Sequence, residues 1–306
     1  MQFRNTVLAL GALLIGALGG CNSGQRTFDS PQAAVGALEQ AVATGDRAEL
    51  RGVLGPRTDE LKSGDAEQDR ADFVAFASKL QQQSRIENVN EDEAVLLVGQ
   101  EEWLFPVPMV RADGVWRFDT DAGIYELTTR RIGANELAII DACYAFIDAE
   151  VEYGSQPRDA SGVNQYTAKL WSAPGTRDGL YWETAENETP SPIGPVMAAA
   201  VSGNGADSYP FYGYFFKPLL KQGPNAVGGA MEYAENGRLV KGIAGVAFPA
   251  EYGTSGIMTF IFSMDGVVYQ RDLGAQTPSI VGAMDSFDPG EGWTPVEETV
   301  AVEGNE

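Results

Sequence analysis

The side chains able to do chemistry are restricted in kind before any of them is placed. Histidine is absent from all 306 residues. This excludes histidine-dependent triads, histidine acid–base catalysis and the common zinc sites. Two cysteines remain. Cys21 ends the run Leu18-Gly19-Gly20-Cys21, and Cys143 falls inside an apolar helical pattern, where a buried structural thiol is expected. With Cys21 consumed by a modification, no internal disulfide can form. Any catalysis must rest on carboxylates, Lys, Tyr, Ser or Cys143. Two segments gather the remaining groups: Arg177-Asp178-Gly179-Leu180-Tyr181-Trp182 and Phe248-Pro249-Ala250-Glu251-Tyr252-Gly253. Both mix charge with aromatics, and both read as connections, where binding residues concentrate. Gly179 and Gly253 permit turns that other residues resist. The candidate ligand-binding set is therefore Arg177, Asp178, Tyr181, Trp182, Glu251 and Tyr252, with the two segments forming one site in the C-terminal half. Asp178 and Glu251 are the carboxylates that a glycosidase-type hydrolase would have to hold across a cleft. The competing reading pairs Arg177 with Asp178 to order a loop and leaves Glu251 on a solvated turn.

Two further groups have simpler roles beside their chemical ones. Tyr209, Phe211, Tyr212, Tyr214, Phe215 and Phe216 could line a groove for a glycan or peptide, but sheet core is the plainer expectation. Arg130-Arg131 could hold an anion before a following helix, or form a surface pair at a domain junction. No P-loop, no GxGxxG after a strand, no nucleophile elbow and no CxxC is present. No cofactor and no metal is expected.

The elements that must position these residues are α+β. Ser30-Pro31 opens a helix carrying Ala34, Val35, Leu38, Ala41 and Val42, and Gly45 stops it. Asp46 and Glu49 open a second helix as in a capping box, and Phe73, Phe76, Ala77 and Leu80 mark a third. Strand-like runs at 94–98 and 103–110 follow, and Asp113-Gly114 turns the chain into 115–119. This gives an N-terminal α+β domain over 30–122, resembling small nuclear-transport-factor-like layouts at the level of fold alone. A boundary is expected over Asp119–Gly133. Asn135 then caps the longest helix, whose buried stripe is Leu137, Ile140, Tyr144, Ile147 and Val151. Residues 155–208 are loop-rich, with a short helix near Gln165–Trp171. Strands return at 209–219 and 231–233; Asn236-Gly237 and Asp265-Gly266 turn the chain into 238–248 and 267–271, on either side of a strand at 256–263. The C-terminal domain, 133–293, is thus a long helix packed on a four-stranded antiparallel sheet, by analogy the layout of a pilin head. Residues 294–306 are expected to be an acidic disordered tail.

The N-terminus states a destination. Arg4 precedes an uncharged apolar or small run from Val7 to Gly20, too short for a comfortable membrane span of about 20 residues, and Cys21 closes it as a lipobox. Residues 1–20 read as a lipoprotein signal peptide and 21–29 as a tether, with lipid on Cys21. Asn22 favours an outer-membrane location facing the periplasm. The formal net charge of −22 repels nucleic acid and anionic headgroups.

Several blocks carry a family resemblance: FPVPMV (105–110), GVWRFDTDAG (114–123), RRIGANEL (130–137), PGTRDGLYW (174–182), SPIGP (191–195), FPAEYGTSGIMTFIF (248–262) and DGVVYQRDLG (265–274). Together they resemble the bacterial domain of unknown function 2950 family over about 28–296. The resemblance implies a secreted or lipid-anchored protein and supplies no chemistry. Relatives carry an Asp- and Gly-rich loop readable as a calcium loop. Here that stretch is Arg158-Asp159-Ala160-Ser161-Gly162-Val163-Asn164, with only Asp159, Ser161 and Asn164 as candidate oxygen ligands and no closing Glu. The leading expectation is a membrane-anchored lipoprotein that binds or scaffolds another envelope component, protein or glycan. The alternative is a carboxylate-dependent hydrolase of envelope polymer.

Overall fold

Helix starts follow their caps. Ser30 is extended and its side chain accepts from the Ala33 amide at 3.2 Å, with Pro31 at the first helical position, so α1 runs Pro31–Thr44 and ends on Gly45 at φ 64°. Asp46 accepts from the Ala48 and Glu49 amides and opens α2, Arg47–Leu54. Glu49 does not reach back as a capping box requires; it accepts from Thr44 Oγ1 instead. α3 is Ala66–Gln82. The computed structural model describes residues 24–62, 66–185, 187–200 and 209–297, so the signal peptide and Cys21 lie outside the described residues. The chain divides into two units, at Leu127 and Thr128.

In the first unit, β1 (Ser84–Asn88), β2 (Glu93–Val98), β3 (Trp103–Leu104), β4 (Met109–Ala112) and β5 (Val115–Phe118) form an antiparallel sheet in the order β1-β2-β4-β5, with β3 beside β2. Asp113 and Gly114 have φ of 53° and 79°, the paired left-handed geometry of a tight hairpin, and join β4 to β5 as expected. Leu38, Val53, Leu96, Met109 and Phe118 close the core between helices and sheet. Residues 24–29 are not a tether: the Arg26 amide donates to Gly52 O at 2.7 Å, and Phe28 is buried in a two-way backbone bridge with Trp116.

The stretch expected as a boundary is helix. Asp119 accepts from the Ala122 amide at 3.0 Å and opens α4, Thr120–Gly154, so Asn135, Gly133 and Arg130-Arg131 are helix-interior. The Asn135 amide donates instead to Ser255 O at 2.8 Å. The buried stripe matches the expectation in part: Ile147 is buried and Ile140 and Tyr144 pack against the same cluster, but its two ends do not. Leu137 and Val151 are 61% and 54% exposed, while Ile139, Cys143, Phe146, Glu150 and Tyr153 are buried at alternating steps of four and three. Cys143 is fully buried, which pushes its thiol pKa up and leaves it inert.

Residues 165–171 are not helical, because their amides bond far along the chain: Tyr166 to Leu239 O and Thr167 to Glu150 Oε2. After α5 (Pro195–Ala200) come β6 (Tyr214–Leu219), β7 (Lys221–Gln222), β8 (Met231–Glu232), β9 (Ala234–Glu235), β10 (Arg238–Leu239), β11 (Ala244–Pro249), β12 (Met258–Ser263), β13 (Val268–Asp272), α6 (Thr277–Ala283) and β14 (Thr294–Pro295). The antiparallel sheet has five strands, β14-β13-β12-β11-β6, not four. Residues 231–232 pair with β7 in a separate ribbon, and residues 294–295, expected in the tail, pair with Tyr269 and Gln270. Asn236-Gly237 does make the β9–β10 turn, at φ 51° and 78°. One face of the large sheet packs on α4 through Phe216, Ala247, Phe260 and Phe262, with Phe146 edge-on to Phe262 at 5.3 Å. The other face covers a second cluster with Ile261, Val281 and Phe287.

Candidate functional site

The C-terminal end of α4 carries the residue that physical chemistry singles out. Glu150 occupies a core position of the helix stripe and is 0% exposed. Its Oε2 accepts from the Thr167 amide at 3.1 Å, while Oε1 has no hydrogen-bond partner among the described residues. Burial pushes the carboxyl up to about 8, only partly opposed by that hydrogen bond, so the group is an acid, not a carboxylate, at neutral pH. One turn on, Tyr153 is buried and donates to Arg177 O at 2.9 Å. Thr167, which holds Glu150, donates its hydroxyl to Asp178 O at 2.8 Å. Helix α4 and the segment 166–182 are thereby pinned together at two points, and the Thr167–Asp178 hydrogen bond ties the segment to itself.

Asp178 organises this segment from inside. It accepts from Lys169 Nζ, from the Ala173 amide at 2.9 Å and from Thr176 Oγ1 at 2.8 Å. The Lys169 hydrogen bond, with those of Ala173 and Thr176, pulls its pKa down to about 2. Its partner is Lys169, so the expected Arg177–Asp178 pair does not form. Gly179 has a different role from the expected one. Its φ is not in the left-handed region; the residue is needed because a Cβ there would lie 2.8–3.0 Å from main-chain atoms of Leu170, Trp171 and Ser172. That close approach lets the Ser172 and Tyr181 strands bond, with Tyr181 N to Leu170 O at 2.6 Å and Ser172 N to Tyr181 O at 2.8 Å.

The pairing sorts the aromatics by side. Trp171 is 47% exposed and its ring lies 4.5 Å from that of the half-buried Tyr181. Trp182 is buried, and its indole N–H is also without a partner among the described residues. The Arg158 and Arg177 guanidinium carbons lie 5.4 and 5.3 Å from the Trp182 ring centre. Arg158 is further held by donating to Tyr153 O and Glu152 O, the last carbonyls of α4.

Glu251 and Tyr252 belong elsewhere. Glu251 is exposed, its amide donates to Ser255 Oγ, and Tyr252 donates to Asp272 at 3.3 Å. Their loop is tied to the middle of the helix: Glu136 Oε1 accepts from the Ile257 and Met258 amides at 2.8 and 2.9 Å. Glu136 and Glu150 are fourteen residues apart on one helix, which is about 21 Å along its axis. The two segments expected to form one site are thus docked at separate places, one at the middle of α4 and one at its C-terminal end, and Asp178 does not face Glu251 across a cleft. Tyr214 and Phe216 are core, whereas Tyr209 and Tyr212 are exposed. In the loop with a calcium-like pattern, Asp159 accepts from the Ser161 amide and Gln165 and faces Arg238. No cluster of three or more acidic or cysteine side chains able to hold a metal occurs among the described residues.

The family model described as "Protein of unknown function (DUF2950)" matches residues 25–296, nearly all of the chain after Cys21. The chain belongs to the DUF2950 family. No curated protein and no solved structure matches it. In this DUF2950 protein the groups that sequence reading missed are Glu136, Glu150 and Arg158. Glu150 had a signal: a charged residue on the 139-143-146-150-153 stripe, once that stripe is chosen over its neighbour one residue away. Glu136 and Arg158 act on backbone groups distant or irregular in the chain, and nothing in the local pattern marks them.

Proposed function

We propose that this DUF2950 protein is a lipid-anchored protein of the cell envelope, held through Cys21, that binds another envelope component at the segment 166–182. The lipobox supports the anchoring. The observation that carries the binding reading is Trp171: a large aromatic, half exposed, held against Tyr181 by a backbone pairing that Asp178 and Gly179 make rigid. An ordered, exposed indole offers contact area at little conformational cost, the property that places Trp and Tyr at binding surfaces. A sugar ring or a peptide side chain fits such a face. Folds with a long helix followed by an antiparallel sheet include pilin heads, and that likeness is one of layout alone.

The test is cross-linked capture from native envelopes with the lipidated chain. Trp171→Ala is expected to lose a partner that the wild type retains, with its melting temperature within a few degrees of the parent, while Glu251→Gln keeps the partner. Equal capture by all three would remove the segment from consideration. Separately, Cys21→Ser is expected to shift the protein out of the membrane fraction or leave it unprocessed; wild-type partitioning and migration would refute the anchor.

The hydrolase reading keeps one favourable observation. Glu150 stays protonated through neutral pH while Asp178 is ionised, the divergence an acid–base pair needs. Against it, both Asp178 oxygens are occupied by structural donors and Glu150 has no exposed surface. Binding is the better supported function.

A further inference from the structure

Trp182 collects two positive charges that make no ion pair among the described residues. Many other cations among the described residues are spent on carboxylates: Arg57 on Glu60 and Asp121, Arg85 on Glu87 and Glu102, Lys169 on Asp178, Lys221 on Asp285. Arg177 has no side-chain hydrogen bond and no ion pair among the described residues, although acidic groups outnumber basic ones 43 to 21. Its neighbour Asp178 is turned to Lys169. Arg158 spends its Nε and one Nη2 hydrogen on helix-end carbonyls and keeps the Nη1 side unassigned. Glu152, the carboxylate whose charge acts on Arg158, offers it a main-chain oxygen rather than an ion pair.

Both guanidinium groups stack near one indole, so they lie no farther apart than the sum of their two distances to its centre. Like charges gathered this way repel each other unless an anion stands between or beside them. The geometry also fixes them in advance: Arg158 by two carbonyls and the rings of Tyr153 and Trp182, and Arg177 by the same Trp182 ring and by its own carbonyl, which accepts from Tyr153. The indole N–H of Trp182, buried and without a partner among the described residues, sits on the ring that both groups share and reports on it. Planar guanidinium forks match the paired oxygens of carboxylates and phosphates.

We propose that Arg158, Arg177 and Trp182 form an oxyanion-binding site for a carboxylate or phosphate group. The site is separate from the Trp171–Tyr181 surface and does not depend on the binding role assigned to that surface. Its ligand is an anionic group on a small molecule or polymer, and its selectivity comes from donor geometry, since the overall charge of the protein repels anions in general.

The experiment follows the indole N–H resonance of Trp182, assigned with Trp182→Phe, while the full chain is titrated with inorganic phosphate, with acetate and with a uronic acid trimer at constant ionic strength. A saturable shift of that resonance with phosphate identifies a phosphoryl ligand, and one with acetate or the trimer identifies a carboxylate; either supports the site. Arg177→Ala is expected to weaken binding about tenfold or more. Arg177→Lys should restore only part of it, because a point charge replaces the fork. Arg177 is exposed, so both variants are expected to melt like the parent. The proposal is overturned if none of the three anions gives a saturable shift, or if Arg177→Ala, folded by its melting curve, binds as the wild type does.

Discussion

Raising the pH from about 5 to about 9 is expected to lower the stability of this protein, and Glu150→Gln is expected to remove most of that slope. The sign follows from burial. Glu150 titrates near 4.5 in the unfolded chain and at about 8 in the folded one, because the interior disfavours its charge. Between those values the folded state holds a proton that the unfolded state has released, so stability falls as pH rises. Below the lower value both states are protonated and there is no penalty. Above the upper value both are ionised and the whole penalty is present. At about 1.4 kcal/mol per unit this is on the order of 5 kcal/mol, reduced by whatever local relaxation lets water in. Asp178 near 2 loses its contribution only in acid, and Tyr233, pushed up to about 12 by burial, acts only in strong base; the buried Cys143 thiol, also raised, adds a fall in stability only at the top of this window. Gln keeps an acceptor for the Thr167 amide without a titrating proton. Urea unfolding of both proteins at several pH values measures the effect. Parallel profiles across pH 5–9 would show that Glu150 is hydrated or ionised in the folded protein.

The legibility of the sequence divides along the same lines as its physics. Effects local in the chain were readable. Ser30-Pro31, Asp46, Asp113-Gly114 and Asn236-Gly237 all act within a few residues, and each does in the structure what its type implies. The α+β arrangement and the burial of Cys143 were readable because apolar periodicity reports them. What was not readable required knowing a distant partner. The expected stripe of α4 is right for Ile147 and in part for Ile140 and Tyr144 but wrong at Leu137 and Val151, since Ile139-Cys143-Phe146-Glu150-Tyr153 has the same kind of spacing and only the sheet decides which residues face inward. That choice hid Glu150. The candidate site was half legible. Arg177 to Trp182 does form an ordered, chemically dense segment, but its grouping with Glu251 and Tyr252 assumed that two similar loops share a place, and the anchors Glu136 and Tyr153 put one at the middle and the other at the C-terminal end of one helix.

The largest effect of a single methyl group in this segment is expected at Gly179, and comparison with Gly175 separates two reasons for a glycine. Gly175 has φ 76° with nothing within 4 Å of a Cβ, so Gly175→Ala meets only the intrinsic strain of the left-handed region, about 1 kcal/mol. Gly179 has an ordinary backbone conformation, yet its Cβ would come within 2.8–3.0 Å of the Trp171 carbonyl carbon, the Ser172 nitrogen and the Leu170 oxygen. Those are main-chain atoms in a bonded pairing, so no side chain can swing aside. Either the Leu170–Tyr181 and Ser172–Tyr181 hydrogen bonds lengthen or the segment lifts from Tyr153 and Glu150 of α4. Gly179→Ala is therefore expected to cost about 3 kcal/mol, the upper end of overpacking penalties. Because the pairing holds Trp171 against Tyr181, the same change should loosen that ring pair, visible as a red shift and broadening of indole emission after the other tryptophans are accounted for by Trp171→Phe. Chemical denaturation of the two alanine variants decides the matter. If Gly179→Ala costs no more than Gly175→Ala, the segment is not clamped at that point, and the rigidity on which the exposed Trp171 surface depends must come from the Asp178 hydrogen bonds alone.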